Sequence, residues 1–525
     1  MLNRNSLNII LRYFLYILAV LPVFIFRDFT FDNELRYLSI ADEALRNGSV
    51  FTFANHGLFY ADKPPLYLWL VMLGKAIFGS HVLLFLGIFS FLPALIIMHI
   101  MDKWVKDVLS DSERLTGELM LITSGYFIGA ALVLRMDMLM CMFIVLSLYT
   151  FYKMYCGESK KRDAILFPVY VFLAIFSKGP VGIMVPLLST VVFLYSKGEI
   201  KTIGRYWGWK TLTVLLLLCL AWFTGVYIEG GSNYLNDLLF NQTVNRAVNS
   251  FHHKEPIYYY FLSIWYSLAP WSLLYVGILL LGLKKKMITT DLERLFLIII
   301  LSTFIALSFI SAKLQIYLLP IFPFVAYLTM LLLAKLQSKS WIRLLVGIPA
   351  LIFCFAFPAA IIAQTLISIT EYFTLIVIFI AALILSLTGI LAIRGLKNNK
   401  LYQSIIMMSS GLLIAIFVVS FAIPAENSFI GMGKLCQQAK NESIHKNINN
   451  YYCFNIDRSG NLDVYLSKEP KNLTEEELIN AGTIIRKPAI LFASKRDIDQ
   501  NNTLQKLVKG KNRYQVGNYY YIVFE

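Results

Sequence analysis

The stretch FDNELRYLSIADEALRNGSVFTFANHGLFYADKPPL, residues 31–66, decides how the rest of the chain is read. It is a long polar interruption among apolar segments. It carries two acidic residues, Asp32 and Glu34, an amphipathic helical pattern over Leu35–Leu45, and a Lys63-Pro64-Pro65 corner. Just before it, Arg4 and Arg12 lead an apolar run that continues to Phe26. No small-residue cleavage site follows, so this run reads as a retained first helix, about 8–26, rather than a removable leader. Basic residues at its start place that end in the cytoplasm and residues 31–66 outside.

The next apolar stretch, Tyr67–Phe78, is short, because a span needs about 20 residues. The basic loops downstream are Cys156–Arg162, Lys197–Lys210, Lys284–Arg294, Lys335–Arg343 and Arg394–Lys400. All of them fall in the cytoplasm only if Tyr67–Phe78 does not cross, but lies in the interface or re-enters. The first external loop is then large, about 27–81, and the later spans lie at roughly 82–101, 116–134, 138–155, 164–178, 180–196, 211–228, 258–283, 294–310, 315–335, 342–363, 371–393 and 401–423. With the first helix these make about thirteen transmembrane helices, and the odd count leaves the tail outside.

Composition agrees. Of the 525 residues, 58% are hydrophobic and 15% charged, against about 25% charged in soluble proteins. The net charge of +15 is not a nucleic-acid footprint, because its cations sit in short loops between apolar runs. The six cysteines show no CxxC spacing, so neither a metal site nor a redox motif is supported. Cys436 and Cys453 would pair only in an oxidising compartment. Residues 1–423 thus form a polytopic α-helical membrane domain, and 424–525 a small extracytoplasmic α/β domain. In the tail, Tyr451–Ile456, Thr483–Ile485, Ala489–Ala493 and Tyr519–Phe524 read as strands, and Thr474–Ala481 as a helix with acidic residues in its first turn. No internal repeat is present.

This topology gathers the unusual polar residues on the outer side: Asp32, Glu34, Arg36, Tyr60, Lys63, Asp137, Lys178, Arg246, His252, His253, Lys254, Lys313 and Tyr317. Each has a plain alternative. Arg36 suits a solvated helix face, Lys178 a snorkelling lysine at a turn, and the two histidines hydrogen-bonding loop residues without a third metal ligand. Tyr258–Tyr260 suit an interfacial aromatic belt. Asp137 and Lys313, single charges beside long apolar runs, are costly without a task. As a set, the cations suit a phosphate, and the carboxylates suit general-base work on an acceptor hydroxyl. A transporter of an anion or a lipid would use similar groups, but at the bilayer midplane and within paired repeats.

At these residues the chain resembles the membrane-embedded GT-C glycosyltransferases, nearest the lipid A 4-amino-4-deoxy-L-arabinose transferases and the protein O-mannosyltransferase superfamily (glycosyltransferase family 39/83-like). The family pattern Asp-Glu-x-x-Tyr, followed by Tyr-x-x-Lys-Pro-Pro, is similar to Asn33-Glu34-Leu35-Arg36-Tyr37 and Tyr60-Ala61-Asp62-Lys63-Pro64-Pro65. Asp137 resembles the Asp of the second external loop, and Ser177-Lys178-Gly179-Pro180 the Thr/Ser-Lys-Gly turn. Arg246 with His253-Lys254-Glu255-Pro256 resembles the Arg-plus-His-x-x-Pro loop. Ser311–Pro320 resembles the Lys-x-x-x-Tyr-x-Leu-Pro segment. The likeness runs from the first helix to about Pro323 and rests on five motifs in order.

The resemblance implies a GT-C fold of thirteen helices, an extracytoplasmic C-terminal domain, and a polyprenyl (undecaprenyl) phosphate sugar donor. The acceptor would be lipid A or another cell-envelope glycolipid; a protein acceptor is the alternative. Asp32, Glu34 and Asp137 would be catalytic. Lys63, Arg246, Lys313 and Tyr317 would bind the donor phosphate, with Arg36, Tyr60, Lys178 and His253 around the substrate. No metal or other cofactor is called for, and no nucleic acid. The partners are the donor, the acceptor and the bilayer of a bacterial inner membrane, with the site and the tail facing the periplasm. One departure matters: Asn33 stands where the family has its first acidic residue. Either Asp32, by a one-residue shift, or Glu34 supplies that carboxylate, and Asp32 is favoured.

Overall fold

Nearly every window expected to span the membrane is a helix, but several are broken, and the breaks follow from side-chain chemistry. The computed structural model describes residues 4–240, 254–336, 340–367 and 371–525. Among these residues, eight helices are long and apolar enough to cross a membrane, or ten if each bent pair counts as one span. Leu66–Phe78, Val181–Ser196 and Ser272–Lys284 are shorter apolar helices. Length and composition alone therefore do not reach the expected count of thirteen.

The window 116–134 is a helix pair, Asp111–Ile122 and Gly125–Leu132, bent by 64°. A Ser110–Glu113 capping box starts the first helix. At its end the Thr123 and Ser124 hydroxyls donate back to the Leu119 and Met120 carbonyls. The Gly125 amide leaves the ladder for the Ala269 carbonyl at 2.8 Å, which turns the chain. The window 258–283 divides into Tyr259–Ser267 and Ser272–Lys284 around Pro270, which has no N–H to continue a helix. The window 342–363 bends by 41° between Ser340–Cys354 and Ala356–Leu366.

The chain divides into two units. The helical unit holds Met1–Phe24, Ala61–Tyr67 and Leu84–Ser420. Its centre is Gln315–Ala334, a stretch 94% buried within the protein, so this segment is core rather than lipid-facing. Lys178 ends the helix Asp163–Lys178, and Val181–Ser196 begins three residues later. Gly179 makes the reversal at φ +101°, in a region open to glycine but strained for other residues. Gly182 then lies so close to the Ala174 backbone that a Cβ there would overlap it.

The second unit holds Ile25–Tyr60, Leu68–Leu83 and Phe421–Glu525. The helix Glu34–Asn47 stops at Gly48, φ +71°. A short hairpin pairs β1 (Ala54–Asn55) with β2 (Leu58–Phe59). The tail adds β3 (Asn450–Phe454), β4 (Lys471–Leu473), β5 (Ala489–Ser494), β6 (Asn512–Val516) and β7 (Tyr519–Phe524) in the order β4-β3-β5-β7-β6. β3 runs parallel to β4 and β5; β7 is antiparallel to β5 and β6. Tyr452, Phe454, Leu491, Ile522 and Phe524 on one sheet face pack with Leu478, Ile498 and Leu504 from the helices. The expected strand at Thr483–Ile485 is instead a helical turn, Ala481–Ile484. Both the Thr483 amide and its hydroxyl bond to the Asn480 carbonyl, which closes a turn despite the β-branched sequence. The expected helix start at Thr474 carries a capping box with Glu477.

The helix Leu66–Phe78 covers the stretch expected not to cross the membrane. Its 13 residues reach only about 20 Å, short of the ~30 Å hydrocarbon core. Trp69 Nε1 donates to the Val50 carbonyl at 2.6 Å. Asp42 accepts from His81 Nε2 at 2.8 Å and pairs with Lys75 at 3.4 Å. Burial alone would raise the Asp42 carboxyl, but the hydrogen bond from His81 and the charges of His81 and Lys75 outweigh it and hold the group below its ordinary value. A carboxylate depressed in the folded state adds stability above its unfolded value and loses it as pH falls through the folded one. Thermal unfolding should therefore show a loss of stability below about pH 4, and Asp42→Asn should flatten that limb. An unchanged acid limb in the variant would remove Asp42 from the account.

Candidate functional site

One group of candidate residues lies in the helical unit, around Asp137. This residue opens the helix Asp137–Tyr155, where a carboxylate complements the helix dipole. It is fully buried. Oδ1 accepts a very short hydrogen bond from Lys178 Nζ, and Oδ2 takes Arg135 Nε at 3.0 Å. Both oxygens are thus engaged by cations. Lys63 lies near enough to add a third positive charge to the field at Asp137. The Lys178 ammonium also sits over the Tyr317 ring, 4.2 Å from its centre, a cation–π contact of about 0.5–2 kcal/mol. One carboxylate among three cations leaves a local excess of positive charge.

These groups border a cavity of 370 Å³ lined by Asp62, Lys63, Lys178 and Tyr317 on its polar side. Its remaining wall is apolar, including Met140, Trp222, Phe223, Leu238 and Leu307. A hollow with ammonium groups at one side and a hydrocarbon wall at the other fits an amphiphile with an anionic head. Tyr317 is carried by the 3₁₀ turn Gln315–Ile321. That turn is held by the Tyr260 hydroxyl on the Leu314 carbonyl, 3.4 Å, and by Cys141 Sγ on the Leu319 carbonyl, 3.6 Å.

Lys313 is placed differently from Lys63 and Lys178. It is buried, and its ammonium donates to the Glu255 carbonyl at 2.8 Å. Burial pushes its pKa down, and the Glu255 charge pulls it partly back. Lys254 bridges Ala312, and the Glu255 amide donates to the Ser311 carbonyl. In this structure Lys313 therefore fastens two loops. Arg246, His252 and His253 lie outside the described residues.

A separate group of candidate residues lies in the other unit, at the start of the helix Glu34–Asn47. Here the two candidate carboxylates part company. Glu34 is fully buried. It accepts from Arg27 Nη1 at 2.6 Å, Arg27 Nη2 at 3.0 Å and the Thr30 amide at 2.7 Å. Asp32 is exposed, and only its backbone carbonyl is held, by Arg458 Nη1 at 2.9 Å. Arg36 donates to Asn33 Oδ1 at 3.2 Å and stands over the Tyr37 and Tyr60 rings at 5.7 and 5.5 Å. The Asn33 side chain thus anchors Arg36 and makes no helix-capping hydrogen bond. Among the described residues no group of three His, Cys, Asp or Glu side chains is arranged to hold a metal ion.

Two residues of this arrangement were missed in the sequence. Arg135 was visible as a basic residue two positions before a lone aspartate, LRMDMLM. Arg27 was visible as the cation that directly follows the first apolar helix. Neither spacing by itself names a partner.

The helical topology with its small C-terminal sheet is that of the GT-C fold. The structure matches that of ArnT from Cupriavidus metallidurans bound to undecaprenyl phosphate over 99% of this chain and 98% of that one, with a TM-score of 0.77 and 15% identity. The profile of the dolichyl-phosphate-mannose-protein mannosyltransferase family matches residues 62–223. An undecaprenyl phosphate-alpha-4-amino-4-deoxy-L-arabinose arabinosyl transferase of Pseudomonas savastanoi pv. phaseolicola is 24% identical over 47% of this chain and 46% of its own. A protein of Aquifex aeolicus is 28% identical over 57% of this chain and 58% of its own. The chain spans about half the length of the curated relatives it matches. The fold class and the superfamily resemblance expected from the motifs agree with these comparisons.

Proposed function

We propose that this chain is an integral membrane glycosyltransferase that moves a sugar from a polyprenyl (undecaprenyl) phosphate to an extracytoplasmic acceptor. Lipid A or another cell-envelope glycolipid is the acceptor we favour. The observation that carries this reading is the 370 Å³ cavity lined by Lys63, Lys178 and Tyr317, with Asp62, among mostly apolar side chains. The prenyl chain would lie along the apolar side chains, with the phosphate against the cations. A phosphate leaving group needs its charge stabilised more than it needs a proton, and ammonium donors supply that. Asp137 has both oxygens engaged by cations, so its role here is to orient Lys178 and Arg135 rather than to take a proton. Asp32 is the carboxylate left to orient or deprotonate the acceptor. Arg36 and Tyr60 would contact substrate. Arg246 and His253 keep their proposed places from the motif resemblance, and Lys313 would hold the loop beside them.

The site and the tail face the periplasm in this reading, on the side opposite the basic loops. A reporter fused after Glu525 should be active only in the periplasm; a cytoplasmic signal would reverse the topology. Lys63→Ala should lower transfer by about a hundredfold or more, the cost of losing one well-placed donor, with the protein still present in the membrane. Wild-type turnover in that variant would end the phosphate-clamp assignment. A protein acceptor is the second reading, supported by the family profile over residues 62–223. Mass spectrometry of lipid A and of total glycoprotein, with and without the gene, separates the two. Substrate flux with no covalent product in either pool would point to transport instead.

A further inference from the structure

A second polar pocket lies wholly within the unit that contains the tail. It has a volume of 740 Å³ and is lined by Arg27, Asp28, Asn427, Gly433, Lys434, Gln437, Lys440 and Tyr465, with Pro424 and Val464. Its charges are not equally available. Arg27 is matched by Glu34 in a two-pronged ion pair. Asp28 is saturated: its carboxylate accepts from the Phe29 amide at 2.8 Å, the Gly433 amide at 2.7 Å and the Tyr465 hydroxyl at 2.8 Å. Lys440 donates to the Tyr465 carbonyl at 2.9 Å and to Ser467 Oγ at 3.0 Å, both neutral acceptors. Lys434 is exposed at the rim. An arriving anion therefore meets two ammonium groups, with Gln437 beside them and Asp28 already satisfied.

The pocket also lies at a defined depth along the chain. Arg27 immediately follows the apolar helix Arg4–Phe26, and Pro424 falls in the segment Ile423–Ile430, just after Leu401–Val419. The Phe26 and Phe421 rings meet at 5.4 Å, tilted by 55°, and the Asn427 amide group donates to the Phe26 carbonyl at 2.6 Å. Ile25, Phe421, Phe429 and Ile430 keep exposed apolar surface around this junction. A polar pocket at the ends of two apolar helices, ringed by exposed apolar side chains, matches the headgroup layer.

We propose that this pocket binds the phosphate of a lipid headgroup in the leaflet at the C-terminal end of Arg4–Phe26, with Lys434 and Lys440 as its cations. The site is separate from the 370 Å³ cavity, and the inference does not depend on the glycosyltransferase reading. It would hold the junction of the two helices to an anionic lipid.

The test uses the full chain in nanodiscs of mixed phosphatidylcholine and phosphatidylglycerol, released into the gas phase for native mass spectrometry. Retained phosphatidylglycerol should exceed phosphatidylcholine by roughly 25-fold, since each of the two cations near a lipid surface adds roughly fivefold. Lys434→Gln, at an exposed position with little bearing on folding, should lower that preference by about fivefold. Lys434→Gln with Lys440→Gln should bring it to parity. Equal retention of the two lipids by the wild type, or an unchanged preference in both variants, would overturn the site. Displacement of the bound lipid by inorganic phosphate at equal concentration would make it a free-anion site and overturn the lipid assignment.

Discussion

Lys178→Met is expected to lower sugar transfer by at least about a hundredfold, the cost of removing one donor aimed at developing charge. It should also lower stability, for a separate reason. Asp137 is fully buried and shares its two oxygens between Lys178 and Arg135. Breaking a buried ion pair by removing one partner costs about 3–5 kcal/mol, because the other charge stays in place. The two effects come apart in the double variant Lys178→Met/Asp137→Leu. Replacing a buried pair with apolar residues of similar volume is about neutral, but this variant also takes the Asp137 carboxylate from Arg135, so stability should return in part while transfer stays lost. Recovery of both would show that Lys178 only supports the fold. Loss of stability without loss of transfer in the single variant would remove it from the phosphate site.

The second large effect separates two neighbouring carboxylates. Asp32→Asn should leave the protein folded, because the Asp32 side chain is exposed and only its backbone carbonyl is bonded. Transfer should nevertheless fall by about 10²–10⁴-fold if this group acts as the general base. Glu34→Gln should do the reverse in kind. It removes the charge that the half-buried Arg27 and the Thr30 amide share, at a cost of about 1–3 kcal/mol. Residual activity per folded molecule should stay near wild type in Glu34→Gln. Full activity in Asp32→Asn would move the base elsewhere. Should the acceptor be a phosphate that is already an anion, the Asp32→Asn effect would shrink toward the low end, and the size of the drop reports on the acceptor.

Much of the architecture was legible because the bilayer constrains it. Basic loops set the side expected for each loop, and Tyr67–Phe78, already short in the sequence, is a helix of 13 residues, Leu66–Phe78. Lys63, Asp137, Lys178 and Tyr317 were legible as chemistry at helix ends. The pairing among them was not. That Asp137 grips Arg135 and Lys178, while Lys313 turns to the Glu255 carbonyl, depends on side-chain direction across helices far apart in sequence. The breaks at Thr123–Gly125 and Pro270 were hidden because apolar content stays high through them, so a hydropathy window sees one span. Motif alignment favoured Asp32 over Glu34 only by a one-residue shift; it did not show that Asp32 is exposed and Glu34 buried. The turn at Thr483 was misread because β-branched composition outweighed the local Asn480 hydrogen bonds.

The make-up of the second unit sets an order of events during biosynthesis. Its first segment, Ile25–Tyr60, emerges early, yet its fixed partners come near the end of the chain. Asp28 waits for Tyr465, 437 residues downstream. The sheet adds to the delay: β7, Tyr519–Phe524, lies between β5 and β6, so its interior is incomplete until that strand has been translated. An early termination codon just before Tyr519 would spare the apolar helices of the described residues. It would still leave Ile25–Tyr60, made long before, without the scaffold that shapes it.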